Sequence, residues 1–293
     1  ICGASSGFGR GAAIELGRQG ANVVVVARRE DLLGEIVQDI RNEGGNAIAV
    51  SADVSNAEDI QAVTEAALEE FGKIDVWINN VGVGALGYFW QIPLEAHARL
   101  VDVNLKGLIY GAHAALKQFM KQGYGTLVNV GSVDSEIPLA LQNTYAATKS
   151  AVLSLGRSLN EELRLNGTDD TMQVATIMPW AVDTPWWTHA ANYTGHAPRM
   201  AMMDDPQIVV DAIVKACTEP KEEIPVGAKA KTFDISHHLF PDMTEHMSAS
   251  IAKKESKKAR EAPMTEGAIF APMQEGRTVG GGMRERMERD DQD

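Results

Sequence analysis

The chain has 293 residues, 44% of them apolar and 23% charged, a globular composition that excludes a largely disordered or fibrous protein. Lys and Arg number 27 against 40 Asp and Glu, and the resulting charge of −13 argues against nucleic acid or an anionic membrane as the main partner. No apolar run has the length of a membrane span, and two cysteines, Cys2 and Cys217, suit a reducing, cytoplasmic compartment rather than a disulfide framework.

The chain opens at Ile1-Cys2-Gly3 without Met or a basic leader. A glycine-rich turn normally follows a strand, so most of that first strand is expected to lie ahead of residue 1. Strands are then predicted at 22–27, 47–51, 75–79, 126–130, 173–178 and 224–226. Continuous apolar runs such as Val23-Val24-Val25-Val26 suit strands buried on both faces of a parallel sheet. Helical patterns fall between them, at 10–19, 31–43, 57–71, 94–121, 145–165 and 206–217. Alternating strand and helix implies a doubly wound α/β sheet over residues 1–230. Residues 231–293 read as a polar extension. Met243, Met247 and Ile251 recur every four residues and predict one helix around 242–261. Beyond it, Gly, Pro and mixed charge predict a disordered tail, with a subunit-docking arm as the alternative.

Gly3-x-x-x-Gly7-x-Gly9 sits at the first strand–helix junction, where glycines admit a pyrophosphate and a helix N-terminus presents oriented N–H groups. Arg28 and Arg29 follow the second strand, where an acidic residue would bind the adenosine 2′-hydroxyl of NAD. A guanidinium there matches a 2′-phosphate in charge and geometry, which favours NADP(H) over NAD(H). Asp53-Val54 ends the third strand and either brackets an adenine ring or, through Asp53, caps the next helix. Asn79-Asn80-Val81-Gly82 shapes the crevice beyond the fourth strand. Tyr145 and Lys149 share one face of a helix, where an ammonium would lower the phenol pKa. Ser132 closes the fifth strand at the same sheet edge. No metal site is suggested.

Together these motifs resemble the short-chain dehydrogenase/reductase family, in its shorter catalytic branch, over about residues 1–227. The matching features are Gly3-Ala-Ser5-Ser6-Gly7-Phe8-Gly9, Asn-Asn-x-Gly at 79–82, Asn104 in Asp-Val-Asn-Leu-Lys-Gly, Ser132, and Tyr145 with Lys149. The resemblance implies a Rossmann-like three-layer sandwich and a catalytic tetrad of Asn104, Ser132, Tyr145 and Lys149. It implies that Tyr145 and Lys149 also contact the cofactor. Gly3, Ser5, Ser6, Gly7, Phe8, Gly9, Asn80, Val81, Gly82, Pro179 and Thr184 complete the cofactor site, with Thr184 at the nicotinamide carboxamide. The chain departs from the family at Cys2, usually Thr; at Val81, usually Ala; and at Trp180, usually Gly, where a left-handed backbone would be strained. The expected activity is NADP(H)-dependent interconversion of a carbonyl and an alcohol. The alternatives are an NAD-dependent alcohol dehydrogenase and a non-catalytic dinucleotide sensor. The small-molecule substrate is expected to be bulky and apolar, from three loops: Tyr88, Phe89 and Trp90; Ile137 to Leu141; and Trp180 to Met203. A homodimer or homotetramer is expected.

Overall fold

In the computed structural model the described residues are 1–200, 202–239 and 241–292. The side chains of Asp234, His238, Met243, Glu245 and Met247 lie outside the description, and with them two positions of the stripe expected at 243–251.

The valine run forms strand β1 (Asn22–Ala27), its alternate residues buried on opposite faces. β2 (Asn46–Ser51) pairs with it in parallel, Asn22 opposite Asn46. β3 (Val76–Asn79) begins a second parallel ladder. A separate parallel pair is formed by β4 (Ala85–Leu86) and, much later, Ala191–Asn192. Next to β3 comes β5 (Gly125–Val130), then β6 (Met172–Pro179). After the second member of the small pair, β7 (Ala191–Asn192), the edge strand β8 (Glu223–Val226) pairs with β6. Ile1 and Cys2 fill the gap between the two ladders. Cys2 bridges Val26 on one side and Asn79 on the other, and its amide donates to Ile78 O at 2.9 Å. The order is therefore β2–β1–(Ile1, Cys2)–β3–β5–β6–β8, all parallel, with every carboxyl end on one edge.

On one face lie α1 (Gly7–Arg18), α2 (Glu30–Asn42) and α8 (Gln207–Ala216), which bury Ala12, Leu33, Ile36 and Ile213 against the sheet. On the other lie α3 (Ala57–Phe71), α5 (Gly107–Gln122) and α6 (Asn143–Asn166), which bury Val63, Phe119 and Leu163. The two apolar faces of the sheet are what make both layers necessary. This is the doubly wound, three-layer α/β fold expected from the alternating pattern.

The helix predicted across 94–121 is present, but it is not α-helical throughout. It runs as α4 (Leu94–Val101), a π-turn over Asp102–Lys106, then α5. Periodicity marks helix without resolving one inserted residue, and such insertions gather at functional sites. The π-turn carries Asn104.

The extension also differs from the single helix and loose tail expected. After the short α7 (Trp186–His189), it holds α9 (Gly227–Leu239), α10 (Pro241–Lys258) and α11 (Met283–Asp290). Between α10 and α11 the chain returns across the carboxyl edge of the sheet. Ile269, fully buried, plugs among Ala85, Ile92, Ala96 and Leu100, and Met283 packs with Leu86, Leu139 and Trp187. The docking falls to a short apolar run at 268–271 and to Met283 with Met287, too few positions to show a period in a polar segment. No helix among the described residues is long and apolar enough to cross a membrane.

Candidate functional site

A cleft of about 240 Å³ runs along the carboxyl edge of the strands, from the turn before α1 to the start of α6. Its floor is the glycine turn. Gly3 accepts from Asn80 Nδ2 at 3.0 Å and donates to Val26 O at 2.8 Å. A Cβ on Gly9 would stand 2.1 Å from Gly3 O, so only glycine lets α1 start this close to the turn. Gly3, Ser5, Ser6, Gly7 and Phe8 all line the cleft, as do Val54, Asn80, Val81 and Gly82.

Arg28 and Arg29 also line it, but neither guanidinium is free. Arg28 donates through Nη2 to Ala268 O at 2.7 Å and through Nη1 to Phe270 O at 3.0 Å. Arg29 donates to Ser5 Oγ and Ser6 Oγ at 3.0 Å each, and its Nη1 reaches Met273 O at 3.2 Å. Asp53 does not cap α3. Asn56 does, accepting from the Glu58 amide at 3.0 Å. The Asp53 carboxylate instead accepts from Arg99 at 2.6 Å and from the Ser55 hydroxyl at 2.7 Å, at the cleft wall.

At the other end, Ser132 caps a 3-10 turn (Val133–Ser135), accepting from the Asp134 amide at 3.1 Å. The same hydroxyl hydrogen-bonds Tyr145. Lys149 donates to Val130 O at 2.7 Å and lies 5.7 Å from the centre of the Tyr145 ring. Asn104 does not line the cleft. Its side chain clamps Val83 by both backbone groups, accepting from the amide at 2.8 Å and donating to the carbonyl at 2.9 Å. It also donates to Thr148 Oγ1, tying the Asn80–Val83 wall to α6. Pro179 ends β6 on the cleft, and Thr184 lines it further on.

The electrostatics differ from the sequence expectation in one respect. Tyr145 is pushed up, not down, because burial and then the nearby Asp134 both disfavour the phenolate, outweighing the Ser132 hydrogen bond. Burial pulls the Lys149 ammonium down to about 8 and pushes the Asp134 carboxyl up to about 8. Asp134 is a residue that sequence reasoning missed. Its neighbour Ser132 carried the motif, and only the fold shows that this carboxyl is buried, with Oδ1 unpartnered. Arg99, Ala268 and Met273 are further cleft residues with no local signal.

Of the three aromatic loops, two reach the cleft. Leu139, Trp180, Trp186, Trp187 and Met200 line it. Trp186 lies 5.1 Å from Tyr145, ring centre to ring centre, over Gly84, where a Cβ would strike it. Trp180 stacks on Phe233 and is buried, without a left-handed backbone. Tyr88, Phe89 and Trp90 do not line the cleft and are more than half exposed.

Known proteins resemble this chain in sequence and fold. The short chain dehydrogenase family model matches residues 1–193. An uncharacterized oxidoreductase of Bacillus subtilis, YxnA, is 34% identical over 274 residues, covering 92% of this chain and 76% of that protein. A Brucella melitensis 3-ketoacyl-(acyl-carrier-protein) reductase complexed with NADH superimposes with a TM-score of 0.68 at 28% identity, over 78% of this chain and 96% of that one. An alcohol dehydrogenase from the archaeon Thermococcus sibiricus, complexed with 5-hydroxy-NADP, gives 0.66 at 25%, over 76% and 93%. With the parallel sheet and the glycine turn in place, the chain belongs to the short-chain dehydrogenase family of oxidoreductases.

Proposed function

We propose that the protein reduces a carbonyl to an alcohol, and runs the reverse, with a nicotinamide dinucleotide as its cofactor. The observation that carries this reading is the Ser132–Tyr145–Lys149 cluster, Lys149 buried and the other two half-buried, at the far end of a cleft whose near end is the glycine turn. The cleft fits such a cofactor, because Gly9 lets α1 start against the Gly3 turn, so that the helix N-terminus with Ser6 and Gly7 lines the cleft. Gly3 to Gly9, Asn80 to Gly82, Asp53, Val54, Pro179 and Thr184 are the residues that would hold it. Arg28 and Arg29 at the adenosine end support NADP(H) over NAD(H). When bound, the nicotinamide supplies the hydride.

The chain's own groups manage the proton. Burial keeps Tyr145 as a phenol at neutral pH, which suits a proton donor to a developing alkoxide. Ser132, already bonded to Tyr145, orients the carbonyl oxygen toward it. Lys149 would hold the ribose end of the cofactor, and Asn104 fixes the wall opposite α6. Leu139, Trp186, Trp187 and Met200 beside Tyr145 support a bulky apolar substrate. The test is consumption of NADPH and NADH across a series from acetone to aryl and long-chain ketones. Rising kcat/KM with apolar size is expected. A flat series or a preference for polyols overturns the substrate reading, and no consumption with any carbonyl overturns the activity.

A further inference from the structure

The segment between α10 and α11 crosses the adenosine end of the cleft, and its backbone carbonyls seize the groups that should receive a 2′-phosphate. Ala268 and Phe270 carbonyls take the Nη1–Nη2 end of the Arg28 fork. The Met273 carbonyl takes Arg29 Nη1, while Ser5 and Ser6 take the rest of that fork. Thr278 O accepts from the Gly7 amide at 3.0 Å, the first free N–H of α1. The strap is pinned both within and beyond these contacts. Ile269 is fully buried, its carbonyl accepts from Arg99 at 3.0 Å, and the Gly281 amide donates to Asp183 O at 3.1 Å.

We propose that this strap, residues 265–284, selects the cofactor at the adenosine 2′ position, by competing with a 2′-phosphate for Arg28 and Arg29. The inference rests on the reading of the cleft as a dinucleotide site. A ribose 2′-hydroxyl is a donor and can bond a strap carbonyl in place. A phosphate has only acceptor oxygens, so beside the same carbonyls it meets their negative ends. It gains the guanidiniums only as the strap lets them go. NADH therefore binds with the strap docked, and NADPH binds in exchange for strap contacts.

The experiment uses the full chain. Calorimetric titration gives Kd for NADPH and for NADH, and hydrogen exchange follows the amides of Thr265, Ala268 and Gly281, each bonded across to the β6–β7 region when the strap is docked. NADPH is expected to speed their exchange and NADH to leave it unchanged or slower. Ile269→Ala, which removes the buried anchor between the two carbonyls that hold Arg28 without altering either carbonyl, is expected to tighten NADPH by roughly tenfold, the worth of one competing hydrogen bond to a charged group, and to change NADH by less than about threefold. If NADPH slows strap exchange as NADH does, or if Ile269→Ala leaves the ratio of the two affinities unchanged, the competition is wrong while the dinucleotide reading stands. If neither dinucleotide binds the full chain, the reading of the cleft fails and the proposal with it. Should Ile269→Ala not fold, the exchange measurement on the unaltered chain decides alone.

Discussion

Tyr145 and Asp134 show how a single side chain depends on what surrounds it. Tyr145 is half-buried between Lys149 and Trp186, so in the proposed reaction removing its hydroxyl takes away the proton donor without touching the cofactor end of the cleft. Tyr145→Phe is expected to lower kcat by about 100- to 10,000-fold, the usual worth of a general acid, with dinucleotide Kd nearly unchanged. Retention of more than about a tenth of wild-type turnover would remove Tyr145 from that role. Asp134 makes a stability prediction. Its carboxyl titrates at about 8 in the folded chain, against 3.8 as the ordinary value, because burial outweighs the attraction of Lys149. Between those two values the folded protein holds a proton that the unfolded chain has released. The stability this carboxyl contributes is therefore complete below about pH 4 and is lost as pH rises toward 8. Asp134→Asn has no such proton. Its melting temperature is expected to pull ahead of wild type from about pH 4 to pH 8, and to keep a constant lead above that. Parallel melting curves across that range would show that Asp134 is not buried beside Lys149 and Tyr145 in solution.

At the scale of the element, two glycines in neighbouring helices separate close approach from mere tolerance. Gly9 in α1 has no room for a Cβ, with Gly3 O, Asn80 Nδ2 and Gly3 C all within 2.8 Å of where it would lie. Gly9→Ala has to push the helix from the turn. The expected cost is about 1–3 kcal/mol, as for overpacking, together with loss of dinucleotide binding. Gly34 in α2 has nothing within 4 Å and ordinary helical φ. Gly34→Ala is expected to stabilise by about 0.5–1 kcal/mol through helix propensity alone, with binding unchanged. Chemical denaturation of both variants checks the pair, and equal effects would mean that α1 does not touch the turn. The π-turn is the other feature of this scale. It places Asn104 on Val83, so the wall of the cleft is set by one inserted residue in an otherwise regular helix.

For the molecule as a whole, the strap joins ends of the chain that the sheet alone would leave apart. Arg277 lies within ion-pair distance of Asp31 and Glu35 on α2, and Arg284 pairs with Asp183 at 3.2 Å and Asp205 at 3.0 Å. The exposed pairs to Asp31, Glu35 and Asp205 are each worth little, so the buried apolar anchors and the buried Asp183, which also accepts from the Met283 amide at 2.7 Å, carry the docking. Ile269→Ala is expected to cost about 2–5 kcal/mol if the strap stays docked, and less if it peels away instead. Limited proteolysis separates the two cases: cleavage within 259–282 well below the melting temperature marks a strap released from a folded core. An Ile269→Ala protein with unchanged melting and unchanged proteolysis would show that the strap adds nothing to the fold.

The sequence by itself determined the order of the main strands and helices as far as β8, the glycine turn, and the Ser132–Tyr145–Lys149 set. Each is written in short-range spacing: runs of β-branched residues, glycines two and four apart, a helical interval of four. The tertiary structure alone decided what surrounds those groups. Arg28 and Phe270 are 242 residues apart, and no local period announces their hydrogen bond. The direction of the Tyr145 shift depends on burial and on Asp134, neither visible in a Tyr-x-x-x-Lys interval. The aromatic residues were legible as a group, yet only packing sent Trp186 against Tyr145, Trp180 against Phe233, and Trp90 to the surface. Composition and spacing record which side chains want to be buried. Which cavity each one fills is a property of the closed chain, because it depends on neighbours that folding brings from hundreds of residues away.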